Sequence, residues 1–374
     1  MKKNGKTVFM GLSGGVDSSV SAALLKASGY NVVGVFIRTW HPDFIECNEE
    51  AERLDAMRVA AHLDIPFLTF DLEDEYKNGV ADYMIEEYKK GRTPNPDVMC
   101  NKEVKFGAFL NKALAMGADY VATGHYAQRK SADKFFSGPR KKSPDHSKNL
   151  SPNFLIKSKD STKDQVYFLW TLNQDQLFKI IFPIGHLKKT EVRKLAQKFK
   201  LPVAEKKDSQ GICFLGDIDL KDFLKHYIKE KKGKVLNGKG EEIGFHDGVV
   251  FSTLGARHGF TITEKTPNDE PYYIVSKDIK KNILVVSQDK QSFTNTLSKV
   301  IELEKVNWIS ETPKKGKNYT AQIRYHGEFL PCTINPGGLP SGVEVVFENP
   351  VLVAPGQSVV LYDKDIVLGG GVVA

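Results

Sequence analysis

Over the first two hundred residues, short apolar runs alternate with amphipathic stretches. TVFMGLS, residues 7–13, reads as a buried strand. A Gly/Ser loop follows, then a helix predicted from Asp17 to Ala27 that ends near Gly29. NVVGVFI, 31–37, is a second strand. AERLDAMRVAAHL, 51–63, carries Leu54, Met57 and Ala61 at helical spacing, and Pro66 opens a third strand, PFLTFDL. DYMIEEYKK predicts a further helix. An irregular, proline-containing segment comes next, then a helix near Val104 to Met116 and the strand DYVATGH. KTEVRKLAQKFK, 189–200, is an amphipathic helix closed by Pro202. Strands interleaved with helices predict a parallel sheet covered on both faces.

The texture changes near residue 206. Strand pairs with Gly-containing turns dominate: KVLNGKGEEIG, YYIVSKDIKKNILVVS, TAQIRYHGEFLPCTI, VEVVFENPV and SVVLYDKDIVLGGGVV. The expected class is α/β: an N-terminal doubly wound parallel sheet, then a small antiparallel β domain and a C-terminal β-barrel. The corresponding domains are 1–205, 206–288 and 289–374. Residues 129–148, rich in Lys, Arg, Ser and Pro without periodicity, read as an insertion or flexible loop.

Composition narrows the class. Of 374 residues, 41% are hydrophobic and 26% charged, which fits a globular enzyme, and no apolar run approaches a membrane span. The basic start runs straight into a strand, so no leader is expected and the chain is placed in the cytoplasm. A net charge of +7 permits a nucleic-acid partner without requiring one. The four cysteines, Cys47, Cys100, Cys213 and Cys332, are far apart with no CxxC, so they are expected to be thiols and to form no zinc site.

The strongest local signal is GLSGGVDSS, 11–19, joining a strand to a helix. Backbone N–H groups and the helix dipole favour an anion there, and Gly14 and Gly15 let the backbone approach phosphates. Ser13 and Ser18 add hydroxyls. Asp17 can cap the helix or help hold a metal ion. The Walker lysine is missing, and so is GxGxxG. The segment resembles SGGxDS of the PP-loop ATP pyrophosphatases, which implies a HUP-like fold and adenylating chemistry. Gly124, after the fourth strand, would lie at the same sheet edge.

TPNPDVMCNKEVKFG, 93–107, reads as a rigid, exposed loop in which Asn95, Pro96 and Asp97 lead to Cys100. A helix starting just beyond would lower the Cys100 thiol pKa. Asp97 can act as a base or orient one. Downstream, KKDSQGICFLG, 206–216, sets Cys213 between Gly211 and Gly216, which allow movement. Each cysteine alone could be an incidental loop or core residue. His125 reads as structural.

SGGVDSS, NPDVMCNKEVKFG, KDQVYFLWTL, DSQGICFLG, RYHGEFLPCTI and LGGGVV recur in that order in the tRNA-specific 2-thiouridylases, and the chain resembles that family over nearly its whole length. The resemblance implies ATP, with Mg²⁺, bound by Gly11, Leu12, Ser13, Gly14, Gly15, Val16, Asp17, Ser18, Ile37 and Gly124; Ile37 stands where relatives often have Met. It implies Cys100 as nucleophile, Cys213 as persulfide carrier, a transient disulfide between them, and Asn95, Pro96 and Asp97 around the target base. It further implies tRNA contacts at Lys163, Asp164, Gln165, Arg324 and Tyr325. The implied partners are the anticodon regions of the tRNAs for Lys, Glu and Gln, and a persulfide donor such as a cysteine desulfurase or sulfur-relay protein. Two other readings remain: a different PP-loop ligase or amidotransferase, needing no paired cysteines, and a non-catalytic tRNA-binding protein with ATP as a conformational ligand.

Overall fold

Alternation along the first strand fixes the layers. In β1, Thr7–Gly11, Val8 and Met10 face one side and Phe9 the other. The computed structural model describes residues 5–45, 48–131, 152–208, 211, 213–216, 218–263, 270–289, 297–339 and 342–374. Cys47 and most of the basic stretch, from residue 132 on, lie outside them.

β1 pairs in parallel with β2, Asn31–Arg38, which pairs in parallel with β3, Phe67–Asp71. On its other edge β1 pairs in parallel with β4, Tyr120–Ala122, which meets the short strand Ile180–Ile181. Strand order therefore reverses beside β1, and the carboxyl ends of β1 and β4 flank a switch-point crevice. Helix α1, Val16–Ala27, and helix α2, Glu49–His62, cover the Val8/Met10 face. A long helical segment, 96–115, covers the other.

Two helices depart from the sequence pattern. In α2 the buried residues are Ala56, Val59 and Ala60, while Leu54 and Met57 lie on the solvent side. Small side chains let α2 sit close to the sheet, so the larger apolar spacing does not mark the buried face. The segment expected to be an exposed loop is helical from Pro96: Asn95 caps it, its Oδ1 accepting the Val98 N–H at 3.2 Å, and Pro96 takes the first helical position. The helix then widens into π-helical turns over Cys100–Ala108 before continuing as Phe109–Ala115.

Beyond the helix Leu220–Lys225, a five-stranded sheet contains the hairpins Gly233–Leu236/Glu242–His246 and Tyr273–Asp278/Ile283–Ser287. Among the described residues, a parallel pairing joins Ile283–Ser287 to Gly233–Leu236. Six later strands close into a barrel, because Ser298–Trp308 pairs both with Gly342–Val351 and with Ile366–Val373. Asn153–Ile156, from the N-terminal half, pairs with the last barrel strand. One hydrophobic cluster runs from Phe9 through Val104 and Phe109 to Val360, Tyr362 and Val367, and the Trp170 indole N–H donates to Ser358 Oγ at 3.1 Å. The barrel is thus packed against the parallel-sheet unit. Among the described residues no helix is long and apolar enough to cross a membrane.

Candidate active site

The loop after β1 is built as an anion cradle. Gly14 has φ of +70°, and Gly15 stands at the α1 N-cap, so the N-cap residue offers the first amides of the helix no side-chain acceptor. The Ser13 and Ser18 hydroxyls are 3.2 Å apart and Ser18 Oγ also donates to the Gly15 carbonyl at 3.1 Å. Gly124 closes the crevice from β4: a Cβ there would lie 2.7 Å from the Ser18 nitrogen. Leu12 and Val16 are buried beneath the loop, and Ile37 is buried near the end of β2 in the cluster that contains Cys100. These features fit the phosphates of a nucleotide at a helix N-terminus.

Asp17 does not cap the helix, whose N-cap is Gly15. Its two oxygens accept the Lys189 ammonium at 2.8 Å each, and the Tyr126 hydroxyl donates to one at 2.9 Å. Lys189 also pairs with Asp208, which meets Lys163 and Arg193 as well. Burial works to raise the Asp208 pKa, but hydrogen bonds from Lys163 and Lys189 hold it well below the carboxylate range. Three cations and two carboxylates thus form a network next to the glycine-rich loop. Lys189 and Arg193, four apart on one helix face, were visible in KTEVRK only as amphipathic residues.

The second half of the site joins distant segments. The Cys100 and Cys213 sulfurs are 3.3 Å apart, with both residues present as free thiols. The Asp97 carboxylate accepts the Cys213 N–H at 2.9 Å, and the Tyr76 hydroxyl donates to the Cys213 carbonyl at 2.8 Å. His41 Nε2 lies 2.8 Å from the Phe214 carbonyl. Gly211, Phe214 and Gly216 have φ of +89°, +68° and +76°, so the cysteine sits in a loop with a strained aromatic neighbour. Sequence reading missed Tyr76 and His41, which act through the tertiary fold.

The electrostatics reverse one expectation. Cys100 lies inside the helix, after its first turn, and is fully buried, so the helix terminus does not activate it. Burial pushes its thiol pKa well up, and its hydrogen bond to Cys213 adds to the shift. Cys213 moves the other way: the Cys100 S–H hydrogen bond lowers its pKa to about 7, and the Lys105 charge assists against burial. Burial raises the Asp97 pKa despite the Cys213 N–H. His125, buried and 2.7 Å from Thr123 Oγ1, is held neutral by burial and by Lys105.

The residues assigned to tRNA differ in availability. The Asp164 carboxylate accepts the Ser158 and Val166 amides at 2.6 and 2.9 Å, and burial raises its pKa to about 6. Gln165 accepts the Tyr126 amide at 2.9 Å, and Lys163 pairs with Asp208. Arg324 is exposed, and the Tyr325 ring lies 4.3 Å from that of Phe168. Tyr325 lines a cavity of about 680 Å³ with Lys157, Lys159, Tyr167, His326 and Phe329.

Three family models match consecutive parts of the chain. They are described as the tRNA methyl transferase HUP domain over 6–217, the tRNA methyl transferase PRC-barrel domain over 221–288, and the aminomethyltransferase beta-barrel domain over 298–373. A tRNA-specific 2-thiouridylase MnmA from Halalkalibacterium halodurans is 44% identical over 374 residues, covering 98% of this chain and 94% of that one. Its counterpart from Shigella boydii is 41% identical over 379 residues, covering 100% and 98%.

Proposed function

This chain belongs to the tRNA-specific 2-thiouridylase family, the sulfurtransferases of tRNA uridine, and from that premise we propose how its residues divide the reaction. ATP, entering with magnesium, occupies the loop 11–18 and the Gly124 edge, with Ile37 near the adenine. The C2 oxygen of the wobble uridine, U34, attacks the α-phosphate and pyrophosphate leaves. That oxygen, a poor leaving group as a carbonyl, then departs as AMP.

Asn95, Pro96 and Asp97 sit at the helix start beside the thiols, and the flipped base is placed against them. The Cys213 thiolate takes sulfane sulfur from a donor persulfide, releasing the donor thiol. The outer sulfur attacks C2 and expels AMP, while Cys100, having lost its proton, attacks the inner Cys213 sulfur. The persulfide S–S bond breaks, the outer sulfur stays on the base as C2=S, and a Cys100–Cys213 disulfide forms. If Cys100 attacks first, sulfide is released locally and becomes the nucleophile, with the same disulfide as product. Two thiols supply the two electrons, and an external thiol reduces the disulfide afterwards. The substrates are the tRNAs for Lys, Glu and Gln, the sulfur source is a cysteine desulfurase or relay protein, and a reducing cytoplasm is the setting.

The approach of the two sulfurs to 3.3 Å carries this reading, since it gives the disulfide-forming step its partners without a large rearrangement. It also favours sulfur transfer over the methyl transfer in the family-model descriptions, for which a thiol pair has no evident use. The test is mass spectrometry of the wobble nucleoside after incubation with ATP, magnesium, unmodified tRNA and a persulfide-loaded desulfurase. Wild type should exchange oxygen for sulfur, and Cys100→Ser and Cys213→Ser should not. A methyl adduct, or undiminished thiolation by either variant, defeats the proposal.

A further inference from the structure

Lys105 lies five residues after Cys100, where an ordinary α-helix would turn it to another side. The segment between them is π-helical, and i→i+5 bonding sets residues five apart nearly above one another. The Lys105 ammonium accordingly lies on the side of the thiol pair, 5.5 Å from the centroid of the ring of Phe214, the residue that follows Cys213. The charged and titratable groups around it come from several elements. Asp97 and Cys100 share its helix, Cys213 arrives on the loop, Tyr76 from the Glu73–Tyr76 helix, and His125 from beyond β4.

The Lys105 side chain is half-buried, and an ammonium so placed favours an anion beside it. Asp97 already accepts the Cys213 amide, and His125 and Tyr76 offer no charge to pair with. Burial alone would lower the Lys105 pKa, yet Cys213, Cys100 and Asp97 together raise it above the ordinary lysine value. We infer that Lys105 is a positioning residue that keeps the Cys213 sulfur anionic beside Cys100, brought there by the π-helical turns. The inference rests on the sulfur-transfer reading, in which Cys213 must be a thiolate to be loaded.

The test uses the full chain as wild type, Lys105→Gln and Lys105→Arg. Iodoacetamide alkylation of the Cys213 peptide is followed by mass spectrometry as a function of pH, with circular dichroism to verify folding. In Lys105→Gln the midpoint should rise, with alkylation at neutral pH slower by about tenfold, the effect of one pKa unit. Lys105→Arg should keep the wild-type midpoint, and thiolation from a persulfide donor should fall and recover in parallel. An unchanged midpoint in folded Lys105→Gln overturns the inference, because a merely structural lysine would alter stability instead. If Lys105→Gln does not fold, Lys105→Arg decides: a retained midpoint supports the inference and a rise of a unit overturns it. If wild type makes no thiouridine while the midpoint still shifts, the sulfur-transfer reading fails and the hold of Lys105 on Cys213 stands.

Discussion

The Asp97 carboxylate accepts the backbone N–H of Cys213 at 2.9 Å, so an acidic residue from the first helical turn tethers the loop bearing the second thiol. A charge-assisted hydrogen bond of this kind is worth about 1.5–3 kcal/mol. Asp97→Ala should therefore slow oxidative closure of the Cys100–Cys213 disulfide by on the order of tenfold. Asp97→Asn, which keeps an acceptor oxygen, should close at a rate near wild type. Thiol counting after timed exposure to a mild oxidant measures both. Equal rates in all three proteins would mean that the tether does not set the approach of the sulfurs.

Removing Cys100 should make Cys213 less reactive. The Cys100 S–H hydrogen bond is the largest influence lowering the Cys213 pKa, which stands at about 7. A lowered thiol pKa means that the thiolate fraction is high above that value and is lost as pH falls through it. In Cys100→Ala the loss should move to higher pH, so alkylation at neutral pH drops by about tenfold or more, at least as much as in Lys105→Gln. Cys100 in the Cys213→Ala protein should stay slow throughout, since burial is what chiefly lifts its pKa. A Cys100→Ala protein that alkylates faster at Cys213 would contradict this account.

The sheet, the strand-to-helix turn at Gly14 and Gly15 and the barrel were legible because each follows from local pattern: apolar runs, a glycine-rich turn, and short strands between glycines. The helix at Pro96 had a signal, an Asn cap followed by proline, but the two prolines pointed to a loop, which the structure overturns. The face of α2 was not, since Ala56 and Ala60 outweigh Leu54 and Met57 only once the sheet is in place. Lys105 could not be read out either, because no residue pattern announces π-helical turns. The meeting of Cys100 with Cys213 spans 113 residues of chain and came from resemblance, not from spacing.

Lys189 holds both oxygens of Asp17 beside the glycine-rich loop, and with ATP bound there, as proposed, this pairing would keep a bare carboxylate from facing the polyphosphate. Lys189→Ala should raise the KM for ATP by roughly tenfold, with tRNA-dependent pyrophosphate release as the assay. Adding Asp17→Asn removes the exposed charge, so the double variant should recover part of the loss. Coupling between contacting charged residues is commonly about 0.5–3 kcal/mol, large enough to resolve. Strict additivity of the two substitutions would show that the pair does not act as a unit.

Four of the five residues assigned to tRNA should separate into two classes. Arg324 is exposed and Tyr325 opens onto the cavity shared with Lys157 and Lys159, so both can meet nucleic acid directly. Arg324→Ala should weaken tRNA binding and reduce the salt dependence of log Kd by about one counterion. Tyr325→Ala should weaken binding with little change in that slope, since stacking, not charge, is lost. Asp164 and Gln165 instead bind the backbone amides of Ser158, Val166 and Tyr126. Alanine at either position should lower the melting temperature by a few degrees and affect tRNA only in proportion to unfolding. Filter binding across a salt series, paired with thermal melts, tests all four. The division fails if Asp164→Ala or Gln165→Ala loses tRNA affinity at full stability, or if Arg324→Ala leaves the salt slope unchanged.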